Sequence, residues 1–328
     1  MKMKNNIIEF YRFIFILCIC IMHFLTNYYG TLEIKYFGGG YLPVEFFFIL
    51  SGFLLTLKTS NVKEIELYNF IIQKIKRFYP IYLNAFLLMF IYHSIINNFI
   101  VLKPINFLLE ILMLSFLYEP MNPPSWFLGV LFFILPIIYF MIIKYKKVFY
   151  LLSPYIIIII YMNILYQYHI LDVWAQYFGL LTIGIYRGIA GVLLGCVSYK
   201  IYSYLITRNI NISVIFLVES ITFIILLKII CGSARSINDF IAPVLFAVLI
   251  ISAFLPQIKW LTILNNKYIS FLGNLTLSIF LNHWIVFQIL FKHFSFLDLK
   301  YLIILYLFLI MIWSYLALKL SNFIFKRL

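Results

Sequence analysis

Residues 7–29 read IIEFYRFIFILCICIMHFLTNYY, and Glu9, Arg12 and His23 are the only acidic, basic or imidazole side chains among them. As a helix this run is about 34 Å long, enough to cross the roughly 30 Å hydrocarbon core of a bilayer. Lys2 and Lys4 precede it, as in a signal peptide, but Arg12 and His23 interrupt it and no small-residue cleavage site follows. It therefore reads as a retained first span. Working outward, comparable runs recur at 41–58, 79–99, 126–143, 149–168, 186–206, 212–231, 239–256, 270–292 and 301–321. Hydrophobic residues make up 65% of the chain and charged residues 11%, where a soluble domain carries about a quarter charged. Backbone groups in lipid must be satisfied within the segment, so such runs are helices; a β-barrel would show short alternating segments instead. The expected fold class is all-α: a polytopic membrane helix bundle of about ten transmembrane helices. Residues 1–328 read as a single transmembrane domain with no separate soluble domain.

The formal net charge is +14, which raises the question of nucleic acid. The bases instead cluster at the ends of apolar runs, about three to one in favour of alternate loops, with no continuous stripe of the kind that tracks phosphates. This is the positive-inside pattern, and it sets both termini in the cytoplasm. The inner side then holds Lys2, Lys4, Lys58, Lys63, Lys74, Lys76, Arg77, Lys144, Lys146, Lys147, Lys200, Arg208, Lys259, Lys267, Lys326 and Arg327. The apolar segment 105–118 is short and contains Glu110, so it reads as interfacial or re-entrant; as a span it would scatter the later bases onto the wrong side. Residues 59–78 read as an amphipathic helix on the inner leaflet. Cys18, Cys20, Cys196 and Cys231 have neither metal-ligand spacing nor a disulfide framework, and no metal is expected.

Ionisable residues inside a membrane cost roughly 2.5–3.5 kcal/mol each to insert and mark functional candidates. Arg12 and His23 are eleven residues apart, about three helical turns, so they share one face of the first span roughly 16 Å apart. Snorkelling to lipid phosphates is the plain alternative for Arg12, and an interhelical hydrogen bond for His23. The second span, GGGYLPVEFFFILSGFLL, buries Glu45 near its outer end. The short connection 30–40 sets the two spans antiparallel, with Glu45 at the depth of His23, where a carboxylate can fix an imidazole tautomer and raise its basicity. A static ion pair is the alternative. Arg187 and Glu219 are further buried charges, with mutual pairing as one reading.

Six segments, in order, resemble the acyltransferase-3 family of integral-membrane O-acyltransferases across nearly the whole chain. RFIFILCICIMHF carries the family's Arg–ten residues–His signature at Arg12 and His23. PVEFFFILSGFLL is similar to its "G-V-D-x-F-F-x-L-S-G-F" run, with Glu45 where Asp is usual. FIIQKIKRFYPIYL matches a basic element through Lys74, Arg77, Pro80 and Tyr82. SWFLGVLFF resembles the tryptophan-led fourth span at Trp126, YRGIAGVLLG a weaker pattern at Arg187 and Gly195, and FLGNLTLSIFLNHWIVF the terminal pattern at Gly273, Ser278 and His283. The fourth span lacks the acidic "V-E-E" of many members, and the hydrolase-like C-terminal domain of some members is not expected here.

The resemblance implies transfer of an acyl group, usually acetyl, from cytosolic acyl-CoA to a hydroxyl of a cell-surface or lipid-linked glycan, in the bacterial cytoplasmic membrane. Acetyl-CoA is then the co-substrate, and the partners are the donor, the glycan acceptor and membrane lipids, not nucleic acid. Lys74, Lys76 and Arg77 at the cytoplasmic mouth of the third span suit the donor's phosphates, with Arg12 at the entrance to its thin arm. His23 suits the general base and Glu45 its orienting partner, with an acyl-histidine as the rival route. Trp126, Arg187 and His283 are the substrate-binding candidates; Trp126 fits an aromatic belt as well as a sugar platform, and His283 fits packing against Trp284. Two other classes compete. An exporter of a glycan or lipid-linked intermediate would show broken spans or inverted repeats, and no repeat is seen. A glycan polymerase would need a large outer loop.

Overall fold

A computed structural model describes residues 5–60, 62, 64, 66–96, 104–118, 120–233, 235–257 and 263–324. Of the inner-side bases named above, Lys2, Lys4, Lys63, Lys259, Lys326 and Arg327 lie outside the described residues. The described chain is eleven α-helices and one small hairpin. In order they are α1 (Asn6–Tyr29), α2 (Pro43–Thr59), α3 (Leu67–Ile96), α4 (Pro104–Ile111), α5 (Ser125–Lys144), α6 (Lys146–Tyr168), β1 (Tyr177–Phe178), β2 (Leu181–Thr182), α7 (Ile183–Leu205), α8 (Ile212–Cys231), α9 (Ala242–Phe254), α10 (Lys267–Phe294) and α11 (Leu299–Ile324). Nine helical stretches among the described residues are long and apolar enough to cross a membrane, α9 counting with the 3₁₀ turn Ile237–Ile241 before it. α2, 17 residues and mostly apolar between Glu45 in its first turn and Lys58 in its last, is the tenth at about 26 Å, the short end of the spanning range. The expected count of about ten stands.

Local chemistry sets the helix ends. Asn5 caps α1 by accepting from the Ile7 and Ile8 amides, and Gly30 closes it at φ 64°. Pro43 opens α2, where its missing N–H costs nothing. Asn211 caps α8 through the Ser213 amide. The amphipathic segment expected on the inner leaflet is corrected from Leu67 onward: those residues form one helix with the third span and run straight through Pro80. No glycine or other stop signal separates the two, and a single proline costs a helix one hydrogen bond and a kink.

Segment 105–118 does not span. α4 has eight residues, about 12 Å of helix, and a 3₁₀ turn at Ser115–Leu117 follows. Glu110 pins the fold-back: its Oε1 accepts from the Met121 amide at 3.0 Å and its Oε2 from Tyr82 OH at 2.8 Å. Burial pushes this carboxyl, outside the spanning helices, above the ordinary carboxylate range.

The chain divides into two compact units, Met1–Leu67 with Phe133–Asn274, and Tyr68–Phe132 with Leu275–Leu328. In the first, α2 packs most extensively on α7, with α9 against both and α6 against α7. Glycine makes the α2–α7 approach possible. A Cβ on Gly195 would meet Phe53 N at 2.7 Å, and one on Gly52 would meet Val192 C at 2.8 Å, so backbone lies on backbone as in other small-residue membrane crossings. In the second unit, polar bonds tie helices together: Asn84 Nδ2 donates to Ala317 O at 2.9 Å, Ser278 Oγ to Ser314 O at 2.8 Å and Asn122 Nδ2 to Leu281 O at 2.8 Å.

Candidate active site

In the first unit, α1 is unbroken from Asn6 to Tyr29, so Arg12 and His23 do share a face. Both are half-buried, while Ile16 and Ile19 between them on that face are fully buried. The stripe joining them is thus packed apolar side chains. Arg12 Nη1 donates to Glu9 Oε2 at 2.7 Å. Glu9 lies against α10 at Gly273, where a Cβ would stand 2.6 Å from Glu9 Cβ. The glycine of the FLG segment therefore makes room for the carboxylate that balances Arg12, a residue to which the sequence reading assigned no role. At the other end of α1, the His23 carbonyl accepts from Thr26 Oγ1 at 3.1 Å and Asn27 Nδ2 at 2.7 Å, holding the last turn.

The close α2–α7 crossing sets Glu45 beside Arg187. Arg187 Nε donates to Glu45 Oε1 at 2.8 Å, with the two side chains 2% and 0% exposed. Tyr161 OH from α6 donates to Glu45 Oε2 at 2.9 Å, and Arg187 Nη1 reaches Val173 O at 3.3 Å. Glu45 lies in the first turn of α2, where the helix dipole favours negative charge. Gly191 keeps the space open, since a Cβ there would stand 2.6 Å from Phe48 Cβ and 3.5 Å from Glu45 Oε2. The carboxylate that the sequence reading gave to His23 is thus held by Arg187 and Tyr161.

The suggested Arg187–Glu219 pairing is corrected. Glu219 Oε1 accepts from Tyr11 OH at 2.6 Å. The reason is depth. Arg187 precedes the α7 end at Leu205 by about 27 Å of helix, whereas Glu219 follows the α8 start at Ile212 by only about 10 Å. Consecutive helices joined at that end set the two charges at different levels.

Beyond the pair, the connections at the outer end of this unit carry a second polar group. Arg235 bonds Asp172 through Nε at 3.1 Å and Nη2 at 2.5 Å, and Leu32 O through Nη1 at 2.6 Å. Tyr41 OH donates to Asp239. Arg235 takes a left-handed φ of 64°, which is visible only in the folded chain.

The second unit holds the remaining candidates. Lys74 sits over the Phe70 and Phe78 rings at 5.0 and 5.5 Å and Arg77 over Phe78 at 5.6 Å. Lys76 and Arg77 are exposed in the turns before Pro80. Trp126 is buried, so its ring packs within protein instead of facing lipid headgroups. His283 is fully buried, and its Nδ1 lies 2.7 Å from Phe280 O. A carbonyl only accepts, so Nδ1 carries the hydrogen and Nε2 is the basic nitrogen of the neutral ring.

A family model described as an acyltransferase domain, acyltransferase-3, matches residues 5–319. No curated protein and no solved structure matches the chain.

Proposed function

The chain belongs to the acyltransferase-3 family and is a multi-pass membrane acyltransferase; from that premise we propose that it moves an acetyl group from acetyl-CoA on the cytoplasmic side to a hydroxyl of a cell-surface or lipid-linked glycan. The observation that carries the reading is the family match, which runs from α1 into α11 and takes in every candidate residue.

His23 acts as the general base. It takes the proton of the acceptor hydroxyl as the oxygen bonds to the thioester carbonyl carbon. The carbon–sulfur bond then breaks, and the CoA thiolate leaves with the proton that His23 returns. An alcohol is a poor nucleophile until that proton is removed. Glu45, held by Arg187 and Tyr161, is a positioning residue of fixed charge near the outer end of α2. The exposed Lys76 and Arg77, with Lys74 beside them, fit the anionic phosphates of the donor; Arg12, balanced by Glu9, is a further cation for the same chemistry. We place the reaction in the bacterial cytoplasmic membrane.

The test is the O-acetyl content of purified surface polysaccharide, read by proton NMR, from a strain lacking the gene and complemented with wild type or His23→Gln at equal expression. Wild type restores the signal, and the variant falls short by at least about 100-fold. Full restoration by His23→Gln refutes the base. A fall in glycan amount at unchanged acetylation favours the exporter.

A further inference from the structure

The connections at the outer end of the first unit converge on one guanidinium. Arg235, between α8 and α9, bonds Leu32 O past the end of α1 and Asp172 past the end of α6. It also lies over the Tyr41 ring, 6.0 Å from its centroid. Three stretches far apart in sequence thus meet at a single side chain, just beyond the last turn of the helix that carries His23. His23 precedes the α1 end at Tyr29 by about 9 Å of helix, and the Arg235 charge is close enough to act on its ring. One peptide unit joins this group to the buried pair, because Val173, the residue after Asp172, gives its carbonyl to Arg187.

Exposure and backbone set this group apart from a structural clamp. The Glu45–Arg187 pair is sealed, whereas the Asp172 and Arg235 side chains are 20% and 15% exposed and can be reached by a ligand. Arg235 holds φ 64°, where a glycine would make the turn without strain, so the turn alone does not account for an arginine; residues held in this way gather at binding sites. The chemistry then selects the ligand. A guanidinium has five N–H donors, and among the described residues three are used, on Leu32 and Asp172. Both bonds to Asp172 fall on Oδ2, which leaves Oδ1 as an acceptor beside the remaining donors. A hydroxyl donates and accepts at once and meets both. A phosphate or carboxylate has only acceptors and would face the Asp172 carboxylate. Trp174, half-buried two residues beyond Asp172, offers an aromatic face on the same connection.

We propose that Asp172 and Arg235 hold an uncharged sugar of the acceptor through one of its hydroxyls and so set a neighbouring hydroxyl toward His23. This rests on the acyl-transfer reading above and gives that reaction its acceptor-binding residues. The probe is the unacetylated surface polysaccharide of the strain lacking the gene. Full-length protein in nanodiscs is assayed for acetyl transfer at varied polysaccharide and at varied acetyl-CoA. Asp172→Ala and Arg235→Gly are each expected to raise the KM for polysaccharide about 10–100-fold, as loss of one hydrogen bond to a charged group does, while the KM for acetyl-CoA holds. Arg235→Gly suits the left-handed backbone, so it carries the test if Asp172→Ala does not fold. An unchanged KM for polysaccharide, an equal rise in both KM values, or a fall in kcat alone overturns the proposal. Inhibition by inorganic phosphate that Arg235→Gly abolishes also overturns it, because the site would then be one for anions. Polysaccharide binding that Arg235→Gly abolishes, in a protein that transfers no acetyl group, upholds the sugar site and sinks the acyl-transfer reading instead.

Discussion

Replacing Glu45 and Arg187 singly and together isolates the interaction that organises the first unit. The pair is 0% and 2% exposed at 2.8 Å, so removing one partner leaves a charge in a low-dielectric interior. Glu45→Leu strands the Arg187 guanidinium and Arg187→Met strands the carboxylate, each at about 3–5 kcal/mol. Independent effects would sum to about 6–10 kcal/mol. The double variant removes both charges and orphans groups that the pair served, among the described residues Tyr161 OH and Val173 O, at about 1–3 kcal/mol each. It is therefore expected to cost about 2–6 kcal/mol, leaving a coupling of about 4 kcal/mol. Equilibrium unfolding in mixed micelles, followed by tryptophan fluorescence for all four proteins, measures it. Additivity within about 0.5 kcal/mol would refute the reasoning, because the two side chains would then not depend on one another.

Gly195→Ala is expected to lower stability by about 1–3 kcal/mol, since the added methyl meets the Phe53 and Ile49 backbone across the α2–α7 crossing; the same unfolding assay checks it, and a neutral result would mean that the helices are not in that contact. Glu110 predicts a pH slope. Its folded carboxyl is raised by burial, so the contribution is fully present below the unfolded carboxylate value and is lost as pH rises through the raised folded value. Stability of the wild type should fall across that window, and Glu110→Gln should flatten the slope in a melting series against pH.

How much was legible in the sequence differs by level. The spans were, because insertion of a helix depends on some twenty consecutive residues and on nothing distant. Nine spanning helices and α2 lie where apolar runs predicted them, and the fold-back at 105–118 followed from its length and Glu110. The Arg12–His23 face was also legible, since a fixed helical period carries one position to the other. The start of α3 was not, because polarity marks where a helix leaves lipid but not where it begins. The partners of the buried charges were not legible either. Glu45 meets a residue 142 positions away, Arg12 is balanced by a glutamate seated against Gly273, and Glu219 goes to a tyrosine. Composition says that such charges need partners. Which partner each one finds depends on helix adjacency and on depth along the bundle axis, and those are set only when glycines such as Gly52 and Gly195 let particular helices close on one another.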